Sequence, residues 1–177
     1  MSRAKTTTLQ VHGVLVQVLG AGVLLLGPSG VGKSEAALEL VTRGHRLVAD
    51  DRVELRAVEG RLLGRAPERI RHFLEIRGLG ILYVPELYGP EAVVDESAVE
   101  LVCRLDPART APEFERVGLE RPTETLAGLE VPAVYVPVRP ATSLGVLVEA
   151  AVRDHRMRGR MASGAERLDA RLAEGKA

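Results

Sequence analysis

GPSGVGKSE, residues 27–35, holds the only lysine between Lys5 and Lys176; every arginine-or-lysine position elsewhere in that span is arginine. Gly27, Pro28, Ser29, Gly30, Val31, Gly32, Lys33 and Ser34 fit the spacing G-x-x-x-x-G-K-[ST] of a phosphate-binding loop. Glycines let the backbone curl until successive N–H groups point at phosphate oxygens, and the helix that follows adds its partial positive charge. Lysine suits such a loop because it is a compact charge on a flexible stem, where the planar fork of arginine is too bulky. Ser34 offers a hydroxyl to Mg²⁺. These eight residues are therefore expected to hold the phosphates of a nucleotide such as ATP.

The flanking sequence supplies the context this motif needs. Residues 14–26, VLVQVLGAGVLLL, read as two apolar strands around a Gly-rich turn. Residues 33–43 are strong helix formers with Ala37, Leu38 and Val41 on one face, and Gly44 stops them. The helix carries the chain roughly 16 Å away from the loop at 1.5 Å per residue. The strand from Arg46 brings it back roughly 15 Å at 3.3 Å per residue. A right-handed crossover makes that strand parallel to the one before the loop. Its end, Asp50-Asp51, must therefore arrive at the phosphates, where an acid can serve a metal's water shell or take a proton from an attacking hydroxyl.

Further along, residues 52–67 alternate as a hairpin turning at Glu59-Gly60. Residues 67–89 combine a short helical piece, a Gly-bearing loop at LEIRGLG and apolar ILYV. AVELVCRL, residues 98–105, reads as a strand, residues 106–130 as loop, and VPAVYVPVRP as a strand at a sheet edge because its prolines cannot donate to a ladder. A helix starts after Ser143 as N-cap, and a weaker one covers the tail. The expectation is an α/β fold: a single P-loop kinase domain with a mixed sheet and C-terminal helices. It spans residues 9–160, with a flexible start at 1–8 and a helical tail at 161–177.

Bulk properties narrow the function. The 177-residue chain has net charge zero, which gives no reason to expect nucleic acid or anionic membrane as partner. Aromatics are 3% with no Trp, so a base-stacking surface is not expected. The longest apolar run is too short and too broken to span a membrane, and no signal peptide is evident. The single cysteine, Cys103, excludes an internal disulfide. A cytoplasmic location is expected. Read alone, His12 and Glu75 are ambiguous, and the residues leave open a kinase of unknown acceptor or a nucleotide sensor without catalysis.

Residues 11–55 closely resemble the catalytic domain of the HPr kinase/phosphorylase family. So do LEIRGLGILYVPELYGPEAV at 74–93, FERVG at 114–118 and VYVPVRP at 134–140. The resemblance implies a serine kinase that uses ATP or pyrophosphate on the phosphocarrier HPr, and reverses the reaction by phosphorolysis to pyrophosphate. It implies Ser34 and Glu75 as Mg²⁺ ligands and Lys33 on the phosphates. Asp51 becomes the proton acceptor and, in reverse, donor. His12 becomes an active-site histidine and Arg116 a catalytic arginine. It also implies a homohexamer whose carboxy-terminal helix touches HPr. The alternatives are a short P-loop kinase with another acceptor and an ATP-sensing regulator.

Three departures stand out. The family's longer members carry an additional amino-terminal domain, so this chain reads as a catalytic fragment or a naturally short form. The family's Gly-Arg after PVRP is Ala141-Thr142 here, in a segment tied to dephosphorylation. Pro90 and Glu91 replace small residues.

Overall fold

The computed structural model describes residues 8–107 and 121–174. The expected hairpin forms as β2 (Val14–Val18) and β3 (Ala21–Leu26), paired antiparallel. α1 (Lys33–Thr42) follows the loop and stops at Gly44, and β4 (Arg46–Ala49) returns. β4 runs parallel to β3, as the crossover requires, but lies beside β2, which separates the two.

The spine of the sheet is β9 (Glu96–Asp106). It pairs in parallel with β3 on one side. Its start pairs with β6 (Arg61–Arg65) and its end with β11 (Leu129–Pro137). β6 pairs with β5 (Arg52–Val58), and β5 with β1 (Thr8–His12). The sheet is thus mixed and nine-stranded. It folds as the α/β class expected.

Alternation along the central strands makes two cores. Val14, Val16, Val23 and Leu25 face α1 and α3 (Leu144–Arg158), where Leu40, Val148 and Val152 complete the packing. Leu15, Leu24 and Leu26 face the other way, against Val53, Leu55 and Leu62 of β5 and β6. The wing β1–β5–β6 therefore packs back over the sheet. Aliphatic side chains carry both cores, as a chain of 3% aromatics must.

Three local readings change. LEIRGLG is not a loop: β7 (Phe73–Ile76) and β8 (Gly80–Tyr83) form a hairpin, leading into α2 (Val84–Tyr88). Leu74 and Ile76 are buried while Phe73 and Glu75 face out, a period of two too short to stand out beside its glycines. Thr123–Leu126 is a strand, β10, inside the stretch expected as loop. β11 has one partner at each position, as expected of an edge strand: its first half pairs with β10 and its second with β9. β1 was not legible either; it begins at Thr8, and its side chains are mostly exposed.

α3 is tied to α1 at its N-terminus and again further along. Glu39 accepts from Ser143 Oγ and, at 3.0 Å, from the Gly145 amide, so an acid of one helix serves the N-terminus of the other. Ser143 caps α3 as expected. Further along α3, Glu149 takes Arg43 at 2.7 Å and Arg153 at 2.8 Å, with His45 at 3.3 Å. Arg43 foremost, then Arg153 and His45, hold the Glu149 carboxyl down to about 2. A depressed carboxyl stabilises the fold above its ordinary value of 4.5 and loses that contribution as pH falls toward 2. Glu149→Gln is accordingly expected to lower Tm at pH 7. The gap to the parent should close as thermal melts are repeated at falling pH. α4 (Gly164–Glu174) buries no residue. Among the described residues no helix is long and apolar enough to cross a membrane.

Candidate active site

β3 is buried along its whole length and delivers the chain to Gly27, where a Cβ would lie 2.6 Å from the Leu105 carbonyl oxygen of β9. Only glycine lets the loop leave the sheet that closely. Gly32 occupies the N-cap of α1 with φ 104, a left-handed conformation that again favours glycine. The loop therefore curls onto the helix N-terminus as the motif requires.

Lys33 is enclosed rather than solvated, at 7% exposed. Its Nζ donates to the carbonyls of Gly27 at 2.9 Å and Pro28 at 3.0 Å. The first turn of α1 and the loop enclose the side chain. Burial lowers its pKa, while the negative charges of Asp50 and then Asp51 work against that.

The two aspartates divide. Asp50 is 6% exposed and accepts from Ser34 Oγ at 2.8 Å and from the Glu75 amide at 2.9 Å. It ties the helix start, the end of β4 and β7 together. Burial raises its pKa, against the two hydrogen bonds. Asp51 has φ 65 and a side chain 55% exposed. The turn is fixed by backbone bonds from Arg52 N to Asp50 O at 2.8 Å and from Gly13 N to Asp51 O at 3.1 Å. Because β1 pairs His12 with Arg52, His12 Nδ1 comes within 3.1 Å of Asp51 Oδ1.

One cavity of about 190 Å³ is lined by His12, Lys33, Ser34, Asp50, Asp51 and Glu75, together with Ser29, Gly30 and Gly32 of the loop. Every expected site residue among the described residues meets there except Gly27, Pro28 and Val31, which shape the loop behind it. Arg116 lies outside the described residues. Sequence reasoning left two participants unassigned. Asp50 was weighed only as the alternative to Asp51, and its role as a buried bridge needs the position of β7. Arg77 lines the same cavity from the turn after β7, beside Gly30. Its signal, an arginine two residues after Glu75, becomes readable only once LEIRG is seen as a strand.

The donor set suits Mg²⁺. Ser34, Asp50 and Glu75 offer hard oxygens around the loop. Among the described residues no cluster of three or more His, Cys, Asp and Glu could hold a metal by itself.

Residues 3–172 match the HPr Serine kinase C-terminal domain family. The chain is 47% identical over 168 residues, 94% of its length, to HPr kinase/phosphorylase of Exiguobacterium sibiricum. It is 49% identical over 163 residues, 92% of its length, to HPr kinase/phosphorylase of Caldanaerobacter subterraneus. It covers 54% and 53% of those proteins, so it spans about half the length of the curated relatives it matches. The solved structure of the Hpr(Ser) kinase/phosphatase from Coxiella burnetii superimposes with a TM-score of 0.79 at 34% identity, covering 85% of this chain and 92% of that one. Cradle, acids and comparisons agree, and the chain belongs to the HPr serine kinase C-terminal domain family.

Proposed function

We propose that this chain transfers the γ-phosphoryl group of ATP, or a phosphoryl group of pyrophosphate, to a serine of an HPr-type phosphocarrier, and runs the transfer backwards by phosphorolysis. The observation that carries the reading is the placement of Asp51. Its exposed carboxylate, beside His12, opens on the cavity that contains Lys33 and Ser34. Asp50 is buried with both oxygens accepting hydrogen bonds, whereas Asp51, beside His12 at 3.1 Å and Arg52 at 3.8 Å, is half-exposed on the open side of the cavity, where a substrate proton can reach it.

In the forward direction the serine hydroxyl attacks the γ-phosphorus and the bond to the bridging oxygen of ADP breaks. The serine proton passes to an Asp51 oxygen. His12 orients that carboxylate. Lys33 leaves its two carbonyl partners for phosphate oxygens, and the loop amides neutralise the remaining charge. Ser34, Glu75 and the buried Asp50 would hold Mg²⁺, which would supply further charge neutralisation on the phosphates. In reverse, inorganic phosphate attacks phosphoserine, pyrophosphate forms, and Asp51 returns the proton to the serine oxygen. Lys33 and Arg77 line the cavity and would offset the meeting of two anions, and the family resemblance gives Arg116 the same role. The reaction belongs in the cytoplasm, and the assembly is a homohexamer whose carboxy-terminal helix contacts the carrier.

Incubating the chain with Mg²⁺, γ-labelled ATP and a purified HPr-type carrier tests the reading. Acid-stable label on a carrier serine is expected. ATP consumption without carrier label would point to another acceptor, and nucleotide binding without turnover to a sensor.

The segment after PVRP carries a separate expectation. Ala141 has φ 61, a left-handed conformation in which glycine carries no steric penalty. The turn has a conformation open to glycine, but Thr142 leaves it without a cation at the second position. Phosphorolysis is therefore expected to be weak relative to kinase activity. Ala141→Gly with Thr142→Arg should raise the ratio of reverse to forward rate, measured on one carrier in both directions. An unchanged ratio would move control of the balance to Arg116.

A further inference from the structure

Among the described residues β7 pairs only with β8, in a two-stranded sheet separate from the main one. Yet Glu75 of β7 and Arg77 of the following turn both line the nucleotide cavity. Where they stand depends on how this hairpin is tied down. Leu74 and Ile76 bury its inner face, but apolar packing is not directional. The Glu75 amide is tied to Asp50 at 2.9 Å. With that tie alone the strand could pivot about it.

A second tie lies three residues earlier. His72 Nε2 is 2.9 Å from Asp95 Oδ1, and a carboxylate only accepts, so Nε2 carries the hydrogen. Arg71 Nη1 lies 3.7 Å from the other Asp95 oxygen. Asp95 is itself anchored. The Val94 amide before it donates to the Leu47 carbonyl at 3.0 Å, and Val93 bridges Leu47 in parallel. Leu47 belongs to β4, the strand that ends at Asp50. Both ties of β7 therefore lead to the strand that delivers the acids.

The backbone at His72 points the same way. Its φ is 71, a left-handed conformation in which glycine is the default. Such outliers persist where their surroundings over-determine them, and they gather at functional sites. The His72 carbonyl accepts from the Val84 amide at 3.1 Å, closing the open end of the hairpin. A histidine here gives the turn a side chain, and that side chain reaches Asp95. His72 does not line the cavity, so it acts through other residues. Glu75 lies roughly 10 Å along the strand from it, at 3.3 Å per residue.

We propose that His72, held by Asp95, is a positioning residue that sets where β7 presents Glu75 and Arg77 to the nucleotide phosphates and their Mg²⁺. The proposal rests on the phosphotransfer reading for what Glu75 does, and on the fold alone for where Glu75 stands.

The test uses the full chain, ¹⁵N-labelled, as His72→Gly, Asp95→Ala and Asp95→Asn. Glycine keeps the left-handed turn and removes only the imidazole. Asparagine keeps an acceptor for Nε2, so it is the conservative rescue. The amides of Glu75 and Arg77 should shift in His72→Gly and Asp95→Ala and return toward the parent in Asp95→Asn. ADP is then titrated with and without Mg²⁺, with Glu75→Gln as reference. Affinity without Mg²⁺ should hold, because residues 27–34 are untouched. The gain on adding Mg²⁺ should fall about tenfold in the first two variants, the low end for a partner that orients a metal ligand. If circular dichroism shows that His72→Gly does not fold, Asp95→Ala decides, since that side chain is 67% exposed. Unmoved amides, or a full Mg²⁺ gain in the folded variants while Glu75→Gln loses it, would overturn the proposal. A gain that survives Glu75→Gln itself would count against Glu75 as a metal ligand and leave the amide shifts to decide the positioning.

Discussion

Asp51→Asn is expected to lower phosphotransfer about 10²–10⁴-fold, the range for loss of a general base. Nucleotide affinity should hold or improve, because a neutral amide repels phosphates less than a carboxylate does. The fold should be unaffected: the side chain is 55% exposed, and the turn at Asp51 is held by backbone bonds that an asparagine keeps. Asparagine also tolerates the left-handed φ of 65 at this position. Asp50→Asn should behave differently. Its carboxylate accepts from Ser34 Oγ and from the Glu75 amide, so an amide NH₂ turned toward either donor breaks a buried bridge. Lower Tm and weaker Mg²⁺-nucleotide binding are expected, with a smaller loss in the chemical step. Single-turnover rates beside nucleotide titrations separate the two. A larger loss in the chemical step for Asp50→Asn would reverse the assignment.

Lys33→Ala is expected to weaken nucleotide binding on the order of 10²-fold through lost charged hydrogen bonds. Phosphotransfer should fall about 10²–10³-fold, as when a preorganised donor to a transition state is removed. The buried setting adds an effect that a surface lysine would not have. The Gly27 and Pro28 carbonyls each lose a donor, so Tm should fall as well. Calorimetric titration and a thermal melt of the same preparation check both parts. Near-normal ATP affinity would contradict the role given to Lys33.

The frame of the site was legible because its signals are local. Eight residues with two spaced glycines and a lysine define the loop, and a strand and helix of readable length bring Asp50 and Asp51 back to it. What stayed hidden depends on contacts distant in sequence. Lys33 looks solvent-facing in a glycine-rich string, and only the packed loop carbonyls show that it is enclosed. Asp50 and Asp51 are neighbours of one type, and their division follows from the Glu75 amide 25 positions away. His12 depends on β1, a mostly exposed strand with little apolar pattern, whose register with β5 is fixed by pairing alone. Gly78 and Gly80, just after Leu74–Ile76, disguised β7, and with it Arg77. The resemblance to a known family supplied roles for His12 and Glu75 that the residues alone left open.

The central claim is that this cradle passes a phosphoryl group to and from a serine through one proton-handling carboxylate. The most direct measurement is ³¹P NMR of the chain with Mg²⁺, inorganic phosphate and a carrier already phosphorylated on serine. The account predicts that the phosphoserine signal decays as pyrophosphate appears in equal amount, and that Asp51→Asn slows both together. Decay to inorganic phosphate alone, or an unchanged rate in Asp51→Asn, would contradict it.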